Sequence, residues 1–162
     1  MTDFKITVIE GHHTLSSEMA FVLFELDRLF FPTPWGLESW ELLFHEHDRY
    51  LITLSTDNIV VGFCLFDKAI GDSFSHLLKI LVHPDYRSIG LAFKLLSKAE
   101  EDLRVLGCSE FFLEVEESNY AAQKLYQNIG FQIIHRKKDF YGLNRSALIM
   151  TKGITPTNKS HS

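Results

Sequence analysis

At roughly 150 residues per domain, a chain of 162 residues argues for about one domain, and area scaling lets it bury roughly 70% of its unfolded surface, enough for one sizeable core. A composition of 46% hydrophobic and 23% charged residues excludes a disordered chain, a fibrous repeat and a coiled coil. The net charge of −5, from 16 basic and 21 acidic residues, excludes the basic footprint of a nucleic-acid binder and favours cationic or amine-bearing partners.

Met19 to Phe24 is the longest charge-free apolar run without glycine, far short of the roughly 18 residues that cross a membrane. The opening Met-Thr-Asp-Phe-Lys carries no basic region followed by an apolar one, so no leader is expected. Cys64 and Cys108 form neither a disulfide framework nor a zinc spacing and read as buried small hydrophobes. A reducing cytoplasm is the expected compartment.

In chain order, Phe4 to Ile9 reads as an opening strand. Thr14 to Phe30 carries the 3.6-residue stripe of an amphipathic helix, capped by Thr14 or Ser16. Phe21 and Phe24 lie partly off that stripe and read as ordinary packing or as the lip of a groove. Phe31-Pro32-Thr33-Pro34-Trp35-Gly36 breaks the helix, and a second runs from about 37 to 46. Strands follow at about 49–55 and 59–67, joined by a tight Asp57-Asn58 turn. After a turn at Gly71-Asp72-Ser73, a strand at 75–82 ends before His83-Pro84.

The clearest helix spans about 88–106, with Gly107 at its left-handed stop. A strand at 110–115 leads into a helix at 119–129, which turns Ala122, Leu125, Tyr126 and Ile129 inward and stops at Gly130. Strands at about 131–138 and 146–152 close an α/β domain expected over residues 1–153, and the polar tail from 154 to 162 is expected to fray.

Arg87-Ser88-Ile89-Gly90-Leu91-Ala92 stands where a strand and a Pro turn feed that clearest helix. A helix N-terminus offers unpaired N–H groups and a positive dipole to an anion. Gly90 admits it, and Arg87 supplies a permanently charged fork. Glu114 is a polar residue in an otherwise apolar strand and needs a wet or polar partner. Asn119 suits a helix cap, and Tyr126 lies on the inward face of its helix. His12-His13 and His45-x-His47 lack metal-pair spacing, so no metal site is expected. His83 reads as a turn residue.

The run Leu77 to Ala92 resembles the acetyl-CoA motif of the GCN5-related N-acetyltransferases, and Leu113 to Ala122 with Leu125-Tyr126 and Gly130-Phe131 is similar to that family's second half. Within it, the chain looks like the RimI branch, the N-terminal acetyltransferases of ribosomal and other proteins, whose Phe-Pro-Trp entry to the second helix is matched over Phe31 to Trp40. The likeness covers about residues 4–152. It implies a central, mostly antiparallel sheet of about seven strands, flanked by about four helices and splayed in the middle for acetyl-CoA. The cosubstrate would lie along Ile80, Leu81 and Val82, with its phosphates at Arg87, Ser88, Ile89, Gly90, Leu91 and Ala92 and its arm beside Asn119, Ala122 and Tyr126. Glu114 matches the branch's general base and Tyr126 the tyrosine near the coenzyme sulfur. Pro34, Trp35, Glu116, Phe140 and Tyr141 would line the acceptor.

Three departures from the pattern stand out. Ile89 occupies a position usually basic or polar, Glu116 one usually held by arginine, and Gly142-Leu143-Asn144-Arg145-Ser146-Ala147 replaces an acidic segment before the last strand. The implied activity is direct acetyl transfer to a primary amine, foremost a protein or peptide N-terminus such as that of a ribosomal protein. The alternatives are a small-amine acetyltransferase (polyamine, amino acid or antibiotic) and a degenerate acetyl-CoA-binding module. Neither nucleic acid nor membrane is an expected partner, and the chain is expected as a monomer or homodimer.

Overall fold

A computed structural model describes residues 2–10, 15–45, 47–68 and 73–154. Seven strands form one sheet in the order β1-β2-β3-β4-β5-β7-β6, every neighbouring pair antiparallel except β4 and β5. β1 (Lys5–Glu10), β2 (Arg49–Thr56), β3 (Ile59–Lys68) and β4 (Phe74–Val82) make one half; β5 (Glu110–Glu116), β6 (Gln132–Lys137) and β7 (Ala147–Gly153) make the other. β2 and β3 meet through Asp57 and Asn58, both with positive φ, as a two-residue hairpin turn on right-twisted strands requires.

Helices α1 (Ser17–Phe30) and α2 (Leu37–Glu41) cover one face of the sheet, and α3 (Leu91–Val105) covers the other. On the first face Ala20, Leu23, Leu26, Trp40 and Leu43 pack against Leu51, Phe63, Leu65 and Leu81. On the second, Leu95, Leu96, Ala99 and Leu103 pack against the alternate residues Ile52, Leu54, Cys64, Ile80 and Val82. α4 (Tyr120–Asn128) sits beside β5 with no fully buried residue of its own.

Several boundaries differ from the periodicity. α1 starts three residues later than the stripe, because Ser16 caps it by accepting from the Met19 N–H at 3.1 Å; Thr14 lies outside the described residues, as do His12, His13, Gly71 and Asp72. α2 is five residues long rather than ten. After Glu41 the chain tightens into shorter turns, Leu43 N–H donating to Trp40 and His45 N–H to Leu42, which still buries Leu43. α3 begins at Leu91 rather than 88, since Ser88 (φ 68°) and Gly90 (φ 79°) are both left-handed and no helix passes through such residues. Leu125, expected inward, is 38% exposed. Ile154, the first residue assigned to the tail, is buried, and its N–H donates to Ser109; residues 155–162 lie outside the described residues.

The feature that makes a site is the junction of β4 and β5. They run parallel and pair only over Phe74-Ser75-His76 against Glu110-Phe111-Phe112. Beyond that point β5 continues on β7 through Glu116 while β4 continues on β3 to Val82, so the sheet opens into a gap.

Candidate active site

The gap holds a cavity of about 950 Å³ reaching from the start of α3 across β4 and β5 to the α1–α2 loop. Gly62 permits the approach of β3 and β4 that forms one wall, since a Cβ there would stand 2.8 Å from the carbonyl oxygen of Leu81. At the α3 end, Gly90 adopts its left-handed φ with nothing within 4 Å of where a Cβ would be. The first turn of α3 carries N–H groups without intrahelical acceptors, a ready anion site. The Arg87 side chain folds back so that Nε donates to the Val82 carbonyl at 2.8 Å. That contact ties the loop to the strand end.

Most of the residues singled out in the sequence converge on this cavity: Ile80, Leu81, Val82, Arg87, Ser88, Gly90, Leu91, Ala92, Glu114, Glu116, Asn119, Ala122, Tyr126, Trp35 and Tyr141 all line it. Three do not. Ile89 points to solvent at 60% exposure because the left-handed residues on either side turn it away from the cleft. Pro34 is exposed, and its neighbours Pro32, Thr33 and Trp35 take the wall instead. Phe140 packs edge-on against Tyr141 and lies outside the cavity, leaving Tyr141 as the lining ring. Asn119 caps α4, accepting from the Ala122 N–H at 3.1 Å.

Glu114 is half-buried on β5, and its Oε2 lies 2.5 Å from Nε2 of His76 on β4. The imidazole stacks at 4.5 Å and 10° on Phe112, its neighbour across the parallel pairing. His76 does not line the cavity and Glu114 does, so the carboxylate stands in front and the imidazole behind. This hydrogen bond, opposed by burial, holds the Glu114 carboxyl below the usual carboxylate range. Tyr126 is half-buried as a residue, yet enough protein surrounds its hydroxyl that burial, with smaller contributions from Cys64 and Tyr141, pushes its pKa up to about 12.

Glu116, expected to line the acceptor, and its neighbour Glu117 are each taken by a two-pronged arginine: Arg145 holds Glu116 at 2.9 and 3.1 Å, and Arg136 holds Glu117 at 2.8 and 3.0 Å. Two of the departures, Glu116 and the segment that carries Arg145, are therefore joined by one ion pair. It joins the end of β5 to the β6–β7 loop.

At the opposite wall lies a group that the sequence did not single out. Asp27 of α1, fully buried, accepts from the Trp35 N–H (2.8 Å), from the Trp40 indole N–H (3.1 Å) and from Lys79 Nζ of β4 (2.8 Å). The Lys79 ammonium also lies 4.4 Å from the centre of the Phe31 ring and 4.9 Å from that of Trp35. Burial pulls its pKa below the ordinary range while Asp27 pulls the other way. Among the described residues, no three His, Cys, Asp or Glu side chains converge as a metal site, and no described helix is long and apolar enough to cross a membrane. Both cysteines are buried and free, and burial pushes the Cys64 thiol far above its ordinary range.

A split mixed sheet, a glycine-bearing helix start facing the split, and a carboxylate and a tyrosine across it define an acyltransferase of the N-acetyltransferase class. The model of the acetyltransferase (GNAT) family matches residues 21–131, and the chain belongs to that family. It is 30% identical over 133 residues to a [ribosomal protein bS18]-alanine N-acetyltransferase of Haemophilus ducreyi, covering 79% of this chain and 89% of the relative. The solved ribosomal-protein-S18-alanine N-acetyltransferase of Escherichia coli superposes with a TM-score of 0.74 at 22% identity, over 98% of this chain and 99% of that one. An aminoglycoside 6'-N-acetyltransferase complexed with coenzyme A has the same fold, with a TM-score of 0.76 at 17% identity over 93% and 98% of the two chains.

Proposed function

We propose that the chain transfers the acetyl group of acetyl-CoA to the α-amine at a protein or peptide N-terminus, a ribosomal protein being the first acceptor to test. The observation that carries this reading is Glu114, backed by His76, lining the same cavity as Tyr126 between β4 and β5. The acceptor named for the Haemophilus relative gives independent support.

The residues fit the cosubstrate, which supplies a thioester activated toward an amine. The free edge of β4 at Leu81 and Val82 pairs with an extended amide-bearing arm as an added strand would. The α3 start at Gly90 to Ala92 and the Arg87 fork hold phosphate oxygens. A Leu81 or Val82 N–H donates to the oxygen on which negative charge develops, the kind of contact worth about 3–4 kcal/mol. Glu114, ionised at neutral pH, accepts the amine proton through water, and Tyr126 gives its proton to the departing thiolate. Cys64 is too deeply buried to relay the acetyl group.

The amine chemistry favours an N-terminus over lysine. With reference pKa values of about 7.7–8.0 and 10.4, roughly one α-amine in ten is neutral at pH 7, against fewer than one lysine in a thousand. The test compares a peptide with a free N-terminus and an internal lysine against the same peptide blocked at its N-terminus. The expected result is acetylation of the free peptide alone, located by mass spectrometry at its first residue. Equal rates for the two peptides, or turnover of polyamines only, overturn the reading.

A further inference from the structure

Strand β4 carries a bulge where the site needs one. Leu65 pairs with Lys79 but Phe66 pairs with Leu77, leaving Leu78 as an extra residue. A bulge breaks the alternation of faces. Leu77 packs into the α3-side core, Leu78 packs against the α1–α2 core, and Lys79 reaches Asp27 on that same side. In unbroken alternation Lys79 would share the face of Leu77. The bulge thus brings a cation under the α1–α2 loop, on the sheet face that also bears Glu114 and His76, whose neighbours Leu77, Leu113 and Val115 belong to the opposite core.

The order of the groups matters. Lys79 lines the cavity and Asp27 does not, so the counter-ion sits behind the ammonium. A lysine ammonium has three donors, and among the described residues Asp27 is its one oxygen partner. Phe31 and Trp35 flank it and line the cavity beside it. The side chain is only 5% exposed, and Asp27 and the two rings fix its place.

We propose that Lys79 is a specificity residue that donates to the carbonyl oxygen next to the acceptor's amine, selecting an α-amino carbonyl compound over a bare polyamine. The inference rests on the proposed N-terminal acceptor and deepens it. An N-terminus presents a carbonyl two bonds from its amine nitrogen, whereas a polyamine presents methylenes and further ammonium groups, which a fixed cation repels. The walls contributed by Phe31 and Trp35 exclude water from the contact, where a charge-assisted hydrogen bond is worth roughly tenfold to a hundredfold in binding.

The test measures KM and kcat for a lysine-free peptide beginning with alanine and for spermidine, in the wild type and in Lys79→Met. The Asp27→Asn/Lys79→Met double variant avoids stranding a buried carboxylate. The peptide KM should rise at least tenfold with kcat changed less than threefold. Spermidine KM should stay level or fall, and acetyl-CoA affinity by calorimetry should hold within twofold. Unchanged peptide KM in a folded variant overturns the proposal, and so does an equal loss for both acceptors.

A second arm compares two inhibitors in both proteins. In the wild type L-alaninamide should inhibit peptide acetylation better than 3-methylbutan-2-amine, which keeps its shape without the carbonyl, and that preference should shrink at least tenfold in Lys79→Met, where the two amines' different basicities act as before; an unchanged preference also overturns the proposal. If the wild type acetylates spermidine and no peptide, the N-terminal reading fails and takes this one with it. If it acetylates the peptide and Lys79 proves indifferent, this one alone fails.

Discussion

At the level of single residues, the proposed reaction divides proton work between two side chains whose surroundings push them in opposite directions. Glu114 accepts a hydrogen bond from His76 that keeps its carboxyl below the ordinary range. Its folded pKa is lowered, so the ionised form and the stability linked to it persist above the unfolded pKa and are lost as pH falls through the folded one. Tyr126 is pushed up to about 12, chiefly by burial, so its proton remains available across the working range. Neither residue then limits the reaction between about pH 6 and 10. The acceptor's own ionisation sets the profile. For an N-terminal peptide, kcat/KM should rise through about pH 7.7–8.0 and stay level to pH 10. A descending limb below pH 10 that disappears in Tyr126→Phe would contradict the assignment of the tyrosine. General acid and base roles are typically worth 10²–10⁴-fold, so Glu114→Gln and Tyr126→Phe should each lower kcat by about a hundredfold or more, with acetyl-CoA affinity held within a few fold.

At the level of elements, paired strands and capped helices follow from patterns with short memory, and those are what the sequence displayed. The Asp57-Asn58 turn, the Gly107 and Gly130 stops with φ of 95° and 106° and the core stripe of α3 all depend on neighbours a few residues away. Ion pairs between distant elements do not. The Glu116–Arg145 contact spans 29 positions, and until the β6–β7 loop is folded against β5, the two residues read as unrelated departures from the family pattern. The pairing makes a reciprocal prediction. Glu116→Arg or Arg145→Glu alone places like charges together, loosens the loop that carries Tyr141 and raises acceptor KM; the double reversal restores it, as a double-mutant cycle on one pair requires. Additive losses in the double variant would show that the two side chains act separately. His76 was hidden for a related reason. It stands in a strand whose partner the sequence does not name, and only the folding of β4 beside β5, with His76 opposite Phe112, reveals that it reaches Glu114. Lys79 was hidden by the bulge, which no alternation rule anticipates. Gly62 was legible in principle, because a glycine inside a strand marks a close backbone approach.

At the level of the whole molecule, the two cores lie on opposite faces of the sheet, and the cavity occupies the gap between its halves. α1 and α2 are anchored to β2–β4 through one core. β5, β7 and the foot of α4 join α3 through the other, with Leu113, Val115, Leu148 and Ile129. Beyond residues 74–76 the two halves of the sheet have no ladder between them. In the proposed placement, the cosubstrate's extended arm would bond β4 on one side, pack against α4 on the other and so replace the missing ladder, only in the folded chain. Anything that binds the native state alone stabilises it by RT ln(1 + [L]/Kd), about 2.7 kcal/mol at a hundredfold excess over Kd. For a domain of this size each kcal/mol moves the melting midpoint by roughly 2–4 °C, so acetyl-CoA should raise it by roughly 5–10 °C. Gly90 is the point at which to break the link. Its φ of 79° strains a β-branched residue, and a valine there also puts two methyl groups where the phosphates are proposed to approach the α3 start. Gly90→Val should melt somewhat lower than the wild type without ligand and lose most of the ligand-dependent rise. A folded Gly90→Val protein with the full rise would place the phosphates elsewhere and detach the cosubstrate from the start of α3.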